Sequence, residues 1–287
     1  MDYQDYLNRW FGEFEEYHHI GKGKGVRAKL VEIINPDQPK LGAIVESIHT
    51  ASLLHDDVID RAETRRGLPS INAKFGDFTA IMLGDIFYSR AFMELVAYPQ
   101  EVAEKVANAV YLLSQGELED VKLSKNLNLD RKAYFSMIYK KTASLIEATC
   151  WSSAHLRGWE GEPFGLYGKN IGLAFQLIDD LLDIVGDPKV VGKPVMEDFA
   201  EGKTTLPYIL LFERLPQPQR EYLKSLYRKK LTPEEQNWIK GEMVERGVID
   251  EVKKIAQRLV EEGKRAIAPY NLPQLFHIAD RIITREK

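Results

Sequence analysis

Two clusters of aspartates are the residues of this sequence best suited to chemistry. The first reads Asp56-Asp57-Val58-Ile59-Asp60 and the second Asp179-Asp180-Leu181-Leu182-Asp183, so both have the pattern DDxxD. Each lies within a stripe of apolar residues spaced by three and four, which is typical of a buried helix face. On a helix, the first and last aspartates of this pattern project from one face, one turn apart. Each cluster therefore predicts stacked carboxylates on a helix otherwise suited to burial.

Stacked carboxylates of this kind are costly without a cation. Two of them about 6 Å apart repel by roughly 3 kcal/mol at an effective dielectric of about 20, and burial adds a desolvation penalty. Mg²⁺ prefers oxygen ligands and usually takes one or two carboxylates together with water and phosphate oxygens. A calcium-loop spacing is absent, and neither cluster offers the soft ligands that zinc prefers. Two such helices facing each other would bind a magnesium–diphosphate complex, whereas one cluster alone could equally be a solvated acidic helix end.

Basic residues beside glycines accompany both clusters. Arginine binds phosphate with two donors, lysine binds it as a point charge, and glycine lets the backbone approach an anion. The stretches are Gly23-Lys24-Gly25-Val26-Arg27 and Arg65-Arg66-Gly67 around the first cluster, and Gly192-Lys193-Pro194 and Gly202-Lys203-Thr204-Thr205 after the second. His49 lies two helical turns before Asp56, on nearly the same helix face. It is either a residue of the core or a group that faces the substrate. Lys141, Thr142 and Gln176 add polar groups in apolar surroundings.

The elements that must position these residues are almost all helices. Apolar residues recur at three and four along nearly the whole chain, and alternating strand-like runs are scarce. Glycine and proline separate the periodic segments and predict roughly ten helices joined by short connectors. The predicted breaks lie near 20–26, 64–70, 124–130, 157–163, 186–204 and 215–218. None resembles a flexible linker, so residues 1–287 are expected to form one all-α domain.

Composition limits the classes of function. Apolar residues make up 44% of the chain, and a net charge of −4 with a pI near 6.0 disfavours a general nucleic-acid binder, which needs a basic face. Cys150 is the single cysteine and fits a reducing cytoplasm. The N-terminal residues are acidic and aromatic, unlike a signal or transit peptide. No apolar run reaches about eighteen residues, so no membrane span is expected.

The two aspartate-rich stretches resemble those of the trans-isoprenyl diphosphate synthases, also called the polyprenyl synthetase family. IHTASLLHDDVIDRAETRRGLPS is similar to the first characteristic region of that family, GLAFQLIDDLLDIVGDP to the second, and GKPVMEDFAEGKTTLP to the following loop. The resemblance implies a single all-α bundle of about ten or more helices around a central elongated cavity. It also implies a homodimer that condenses isopentenyl diphosphate with an allylic diphosphate. The product would be an all-trans polyprenyl diphosphate, through which the protein could associate peripherally with membranes.

The resemblance also assigns roles to particular residues. It implies about three Mg²⁺ ions per active site, held mainly by Asp56, Asp60 and Asp179 with Asp57, Asp180 and Asp183 in support. The residues implied for the allylic diphosphate are Arg65, Lys141, Thr142, Gln176, Lys193 and Lys203, of which Lys141 and Lys193 would also assist catalysis with Asp56, Asp60 and Asp179. Those implied for isopentenyl diphosphate are Lys24, Arg27, His49 and Arg66. Where the family usually reads GGKRxRP, this chain reads KGKGVRA, with Gly25 and Ala28 replacing an arginine and the proline.

Product length is expected to depend on the residues before the first cluster. Ala51 and Ser52 are small, whereas bulky aromatics at these positions stop chain growth early in the family. We therefore expect a product of geranylgeranyl size or longer, with Tyr111 as a candidate floor. Two other functions stay open: a class I terpene cyclase, which also ionises allylic diphosphates, and a non-catalytic subunit of a heteromeric synthase.

Overall fold

The computed structural model describes residues 1–17, 23–186 and 195–284, and this part of the chain is almost entirely helical. Its helices are α1 Tyr3–Phe11, α2 Val26–Ile34, α3 Pro39–Ile59, α4 Ile71–Phe75, α5 Asp77–Leu95, α6 Gln100–Leu123, α7 Arg131–Ile138, α8 Ser144–Leu156, α9 Gly161–Val185, α10 Glu197–Glu201, α11 Leu206–Arg214, α12 Gln217–Leu226, α13 Pro233–Glu245, α14 Val248–Ile267 and α15 Pro273–Ile283. Short 3₁₀ turns occupy Gly12–Tyr17 and Ala268–Tyr270, and a π-helical turn occupies Tyr139–Ala143. The all-α prediction is confirmed.

The chain divides into two compact units. The first comprises Met1–Tyr111 and Leu145–Gly165, and the second comprises Leu112–Ser144 and Leu166–Lys287. The first acidic cluster belongs to the first unit and the second cluster to the second. That residues 1–287 act as one domain stays a prediction.

In the first unit, α3 carries the first acidic cluster. Pro39 stands in its first turn, where the missing N–H of proline is not needed for helix bonding. Its buried face includes Leu41, Ile44 and Ile48, each fully inaccessible to solvent, and α3 packs against α2 and α5. The helix ends at Ile59, and the amide of Asp60 still donates to the carbonyl oxygen of Asp56 at 2.8 Å. Burial of this face fixes the rotation of α3 and therefore the direction of its aspartates.

A two-stranded hairpin follows α3, inside the predicted break at 64–70. Strand β1, Thr64–Arg65, pairs antiparallel with β2, Leu68–Pro69. Arg66 and Gly67 form the turn with φ of 54° and 77°, the left-handed backbone that tight hairpins require. Only a connector between helices was predicted here, so the short sheet is a correction to the prediction. The break at 186–204 is corrected in the same way, because it contains the short helix α10.

In the second unit, α9 carries the second acidic cluster on a helix of 25 residues. Tyr167, Ala174 and Leu177 on this helix are fully buried, and the Tyr167 hydroxyl donates to the carbonyl oxygen of Leu275 at 2.7 Å. Gly263 of α14 lies against the backbone of Tyr167, where an added Cβ would come within 3.3 Å. The helix is therefore anchored along its apolar face, and its aspartates are held in fixed positions. No helix in the described part of the chain is long and apolar enough to cross a membrane.

Candidate active site

The three aspartates of the first cluster differ in exposure. Asp57 is only 3% exposed, whereas Asp56 is half-buried and Asp60 is exposed at the end of α3. The guanidinium of Arg65 donates from Nε to both oxygens of Asp57, at 2.9 and 2.8 Å, and from Nη2 to Oδ1 at 2.6 Å. Such a forked charge pair is among the strongest side-chain contacts in proteins. The Asp57 carboxylate therefore fixes Arg65 beside the cluster.

The segment between α3 and α4 is fastened by side-chain hydrogen bonds. The Ser70 hydroxyl donates to the carbonyl oxygen of Ala62 at 2.5 Å, and Ser70 also caps α4. The Asn72 amide donates to the carbonyl oxygens of Asp57 and Ala62 at 3.2 and 3.1 Å. These bonds hold the hairpin, and hence Arg65 and Arg66, against the end of α3. A depression beside them is lined by Thr50, Leu53, Leu54, Asp57, Arg65, Arg66, Leu68, Pro69, Ser70 and Ile71.

Three arginines surround His49 in the first unit. Burial, with the positive charges of Arg27, Arg66 and Arg65, lowers the pKa of His49 well below 6.5. His49 is therefore a neutral hydrogen-bonding group at neutral pH. An added Cβ on Gly23 would lie 3.1 Å from the guanidinium of Arg66, so the glycine-rich stretch reaches this cationic group. Arg27, His49 and Arg66, which the resemblance assigns to isopentenyl diphosphate, are thus brought together, and the exposed Lys24 follows Gly23 directly.

Glu46 holds the backbone at Arg27. The amides of Arg27 and Ala28 both donate to Oε1 of Glu46, at 2.9 and 3.0 Å. Burial lowers the pKa of Arg27, although Glu46 opposes this effect. Within the described residues, the Arg27 Nε is buried without a hydrogen-bond partner. A buried guanidinium nitrogen of this kind fits an anionic ligand, because leaving it unpaired costs free energy.

The second unit has a pocket around the second acidic cluster. It is open to solvent. Its polar lining residues are Asp120, Ser124, Asn128, Tyr134, Lys141, Thr142, Gln176, Asp179, Asp180, Asp183, Asp198, Lys203, Thr204 and Thr205. Five aspartates face two lysines in this set. An anionic substrate would be repelled by such a lining unless cations accompanied it.

A hydrogen-bond network fixes the middle aspartate of the second cluster. The Thr142 hydroxyl donates to Oε1 of Gln176 at 2.9 Å, and Nε2 of Gln176 donates to Oδ1 of Asp180 at 2.8 Å. The buried Tyr134 hydroxyl donates to the other oxygen of Asp180. Burial, reinforced by the charge of Asp198, raises the pKa of Asp180 well above its usual range. The network connects Thr142 and Gln176 to the cluster and holds Asp180 in one orientation.

The π-helical turn places two consecutive residues in this pocket. Lys141 and Thr142 both line it, and they lie within the turn Tyr139–Ala143 between α7 and α8. Single π-turns inserted between α-helices occur frequently at functional sites. The turn lies directly on α6, because an added Cβ on Gly116 would overlap the backbone nitrogen of Lys141. Gly116 is thus required for this close approach.

The loop after α10 brings Lys203 to the same pocket. Gly202 ends α10 with φ of 95°, and its carbonyl oxygen accepts from the Tyr227 hydroxyl at 2.8 Å. The Lys203 amide donates to the carbonyl oxygen of Asp198 at 2.7 Å, and its ammonium pairs with Glu201 at 2.9 Å. The Thr204 hydroxyl is buried and has no hydrogen-bond partner among the residues that the structure covers. A hydroxyl in this state can donate to a phosphate oxygen.

The donor set of the two clusters fits a hard divalent cation. All of it is carboxylate oxygen, the ligand that Mg²⁺ prefers. In the described ranges, no group of three or more His, Cys, Asp and Glu side chains is arranged to hold a metal ion.

The predicted residues are therefore found in two groups. Arg27, His49, Asp57, Arg65 and Arg66 meet in the first unit, and Lys141, Thr142, Gln176, Lys203 and the three aspartates of α9 line one pocket in the second. Lys193, with its neighbours Gly192 and Pro194, lies outside the described residues. Tyr111 is 62% exposed, which does not suit a buried floor residue. Three residues of this pocket were not predicted from sequence, because they carry no local motif: Asp120, Tyr134 and Asp198.

Comparison with known proteins identifies the family. The profile of the polyprenyl synthetase family matches residues 8–242, which is most of the chain. The chain belongs to the polyprenyl synthetase family. Octaprenyl pyrophosphate synthase from Helicobacter pylori has a similar structure, with a TM-score of 0.92 and 41% identity over 99% of this chain and 97% of that one. The suspected family is confirmed.

Two further proteins that are similar to this chain extend the comparison. A polyprenyl synthase from Caulobacter crescentus, solved with calcium and isoprenyl diphosphate, has a TM-score of 0.86 and 32% identity, over 93% of this chain and 86% of that one. A short chain isoprenyl diphosphate synthase from Methanothermobacter thermautotrophicus is 38% identical over 198 residues, covering 66% of this chain and 61% of that protein. Across the first curated relatives, the chain spans between 54% and 61% of their length.

Proposed function

We propose that this chain is a trans-prenyltransferase that condenses isopentenyl diphosphate with an allylic diphosphate, head to tail. Its product is an all-trans polyprenyl diphosphate of geranylgeranyl size or longer. The proposal rests chiefly on one observation. In this chain, which belongs to the family, arginines lie beside the first acidic cluster and lysines lie beside the second. Carboxylates next to cations suit a ligand that is itself a complex of metal ions and anions.

Magnesium supplies Lewis-acid stabilisation of the leaving diphosphate when bound. The proposal assigns its protein ligands chiefly to Asp56, Asp60 and Asp179, with about three ions per site. Asp57 and Asp180 support them by holding Arg65 and by fixing the end of the Gln176 network. Asp183 is also assigned a supporting role. Its carboxylate accepts a hydrogen bond from the amide of Asp198 at 3.4 Å.

The chain's own cations bind and orient the two diphosphates. Arg65, Lys141, Thr142, Gln176, Lys193 and Lys203 are assigned to the allylic diphosphate, and Lys24, Arg27, His49 and Arg66 to isopentenyl diphosphate. Fixed donors that face the departing diphosphate stabilise its developing charge, which lets the allylic C–O bond break. The isopentenyl double bond attacks the resulting carbocation, and loss of a proton to the released diphosphate completes the step. Apolar residues around the hydrocarbon tail exclude water that would quench the cation.

The small residues on α3 support a long product. Ala51 is fully buried, and Ser52 is 5% exposed with its hydroxyl turned back to the carbonyl oxygen of His49 at 2.8 Å. Neither side chain extends far beyond the helix backbone. The hydrocarbon tail is proposed to pass these positions within an elongated cavity, and the full 1–287 chain is proposed to work as one domain around it.

A homodimer is proposed through α5. Phe78, Met82, Ile86, Met93 and the adjoining Val96 recur at spacings of three, four and seven, which places them on one face. Their exposed fractions include 78% for Phe78, 67% for Met93 and 84% for Val96. An apolar stripe of this length is expected to be covered by a partner, and a second copy of the chain is the simplest one. Met93→Lys should shift the protein from dimer to monomer in analytical ultracentrifugation, and an unchanged mass would refute this surface.

The protein is proposed to act in the cytoplasm.

The reaction is tested by incubating the protein with labelled isopentenyl diphosphate, farnesyl diphosphate and Mg²⁺, followed by chromatography. The proposal predicts a ladder of linear products that ends at one size, and no product when the metal is chelated. A cyclised hydrocarbon would instead indicate a class I terpene cyclase. Turnover that appears only after a second protein is added would indicate a non-catalytic subunit.

A further inference from the structure

Two carboxylates of α6 hold the ammonium group of Lys141. Oε2 of Glu117 lies 2.8 Å from Nζ of Lys141, and Oδ2 of Asp120 accepts a hydrogen bond from it at 2.7 Å. Residues three apart on a helix share a face, so both carboxylates approach from the same side. The side chains of Glu117 and Asp120 are each 10% exposed, and that of Lys141 is 23% exposed. We call Glu117 and Asp120 the acidic clamp.

The position of the acidic clamp is set by the backbone. Gly116 precedes Glu117, and its lack of a side chain lets α6 contact the π-helical turn that carries Lys141. The clamp is therefore not a chance pairing of long surface side chains. Lys140 next to Lys141 pairs with Glu119 of the same helix, but neither residue lines the pocket.

The acidic clamp changes what Lys141 can bind. In the present arrangement, two negative charges surround one positive charge, so the site offers a bare anion no net attraction. Asp120 also lines the pocket, whereas Glu117 does not. A divalent cation in the pocket would attract the Asp120 carboxylate, which would weaken the clamp and leave the ammonium group available to phosphate oxygens.

We propose that the acidic clamp makes anion binding by Lys141 conditional on a divalent cation, so that the site rejects metal-free diphosphate and phosphate. The inference rests on the proposed function, because it assumes that Lys141 binds a diphosphate. It makes Glu117 and Asp120 specificity-determining residues: the site selects the metal complex of its substrate over the free anion. Neither residue stands in the DDxxD clusters.

Glu117→Gln tests the inference, because glutamine keeps the size of the side chain and removes its charge. Binding of inorganic pyrophosphate is measured by isothermal titration calorimetry in the presence of EDTA. We expect the substitution to tighten metal-free binding about tenfold, equivalent to about 1.4 kcal/mol. Glu119→Gln is the matched control, since it removes the same charge from the same helix beside Lys140, and it should leave the affinity unchanged.

A double substitution shows whether the gain depends on Lys141. In a Lys141→Met background, Glu117→Gln should give no gain, because the released ammonium group is missing. An unchanged affinity in Glu117→Gln alone, or an equal gain in Glu119→Gln or in the Lys141→Met background, would overturn the inference. If Glu117→Gln fails to fold, Asp120→Asn must give the gain instead. Turnover of the unsubstituted protein is measured separately, so an inactive enzyme would reject the proposed function while the binding experiment still decides the role of the clamp.

Discussion

Replacing Gly202 by alanine tests how the loop that carries Lys203 is held. The backbone at Gly202 has φ of 95°, and an added Cβ would lie 2.6 Å from the carbonyl oxygen of Ser124. Backbone strain of this kind costs about 1–3 kcal/mol, and overpacking adds a similar amount. The neighbouring atom belongs to the backbone, so it cannot move aside cheaply. We expect Gly202→Ala to lower the free energy of unfolding by about 2–6 kcal/mol.

Gly247→Ala provides a matched control within the same unit. Gly247 has φ of 64°, and nothing lies within 4 Å of an added Cβ. The control therefore carries backbone strain alone, which costs about 1–2 kcal/mol. The difference between the two variants measures the contact between residue 202 and Ser124.

Two assays follow the variants. Thermal unfolding should show Gly202→Ala melting several degrees below Gly247→Ala, since each kcal/mol shifts the midpoint by about 2–4 °C in large domains. At a temperature where both are folded, kcat/KM of Gly202→Ala should fall about 100-fold, because small displacements of binding groups have effects of that size. Equal midpoints in the two variants would refute the packing argument. A normal kcat/KM in Gly202→Ala would refute the role of the loop.

Three further predictions address the clusters, the product and pH. Asp56→Ala and Asp179→Ala should each lower turnover by at least about 1,000-fold, because fixed charges at the leaving group are lost. The circular dichroism spectrum should stay helical. Near-normal turnover in either variant would remove the assignment of that aspartate as a metal ligand. Ser52→Phe should shorten the longest product seen by mass spectrometry, and an unchanged chain length would exclude this position as a determinant. The lowered pKa of His49 means that the unfolded chain binds a proton below pH 6.5 that the folded chain does not, so stability should fall as pH drops below 6.5. In denaturant titrations between about pH 7 and pH 5, His49→Gln should reduce the change of the free energy of unfolding with pH. The same change with pH in this variant and in the unsubstituted protein would contradict the role of His49.

The helical architecture could be predicted because the relevant signals are local. Apolar residues at three and four fix the buried faces of α3 and α9, and glycine and proline mark most of the connectors. The hairpin after α3 was missed because its strands are only two residues long. Strands this short leave no alternating pattern in the sequence. The helix α10 was missed because its five residues are too few to show a helical repeat of apolar residues.

The aspartates were found from sequence, and the family resemblance separated the main ligands from the supporting ones, but the side chains that hold the supporting aspartates were not predicted. Asp57 is held by Arg65, eight residues later, which lies in the first strand of a hairpin that the sequence did not predict. Asp180 is held by Tyr134, which lies 46 residues earlier in the chain. Pairings of this kind depend on tertiary packing, and the DDxxD pattern alone gives all the aspartates of a cluster equal weight.

The acidic clamp could not be predicted either. Glu117 and Asp120 occur among other charged residues of α6, where they look like an ordinary solvated helix face. Their role depends on Gly116 and on the π-helical turn, which change which residues face the pocket.

The central claim is that both acidic clusters hold one diphosphate through shared divalent cations. Crystals grown with Mn²⁺ and inorganic pyrophosphate would test it directly, because anomalous scattering locates Mn²⁺ without ambiguity. The account predicts Mn²⁺ bound by oxygens of Asp56 and Asp60 on one side, by Asp179 on the other, and by pyrophosphate between them. Clusters that face separate regions of solvent, or pyrophosphate bound without either cluster, would contradict it.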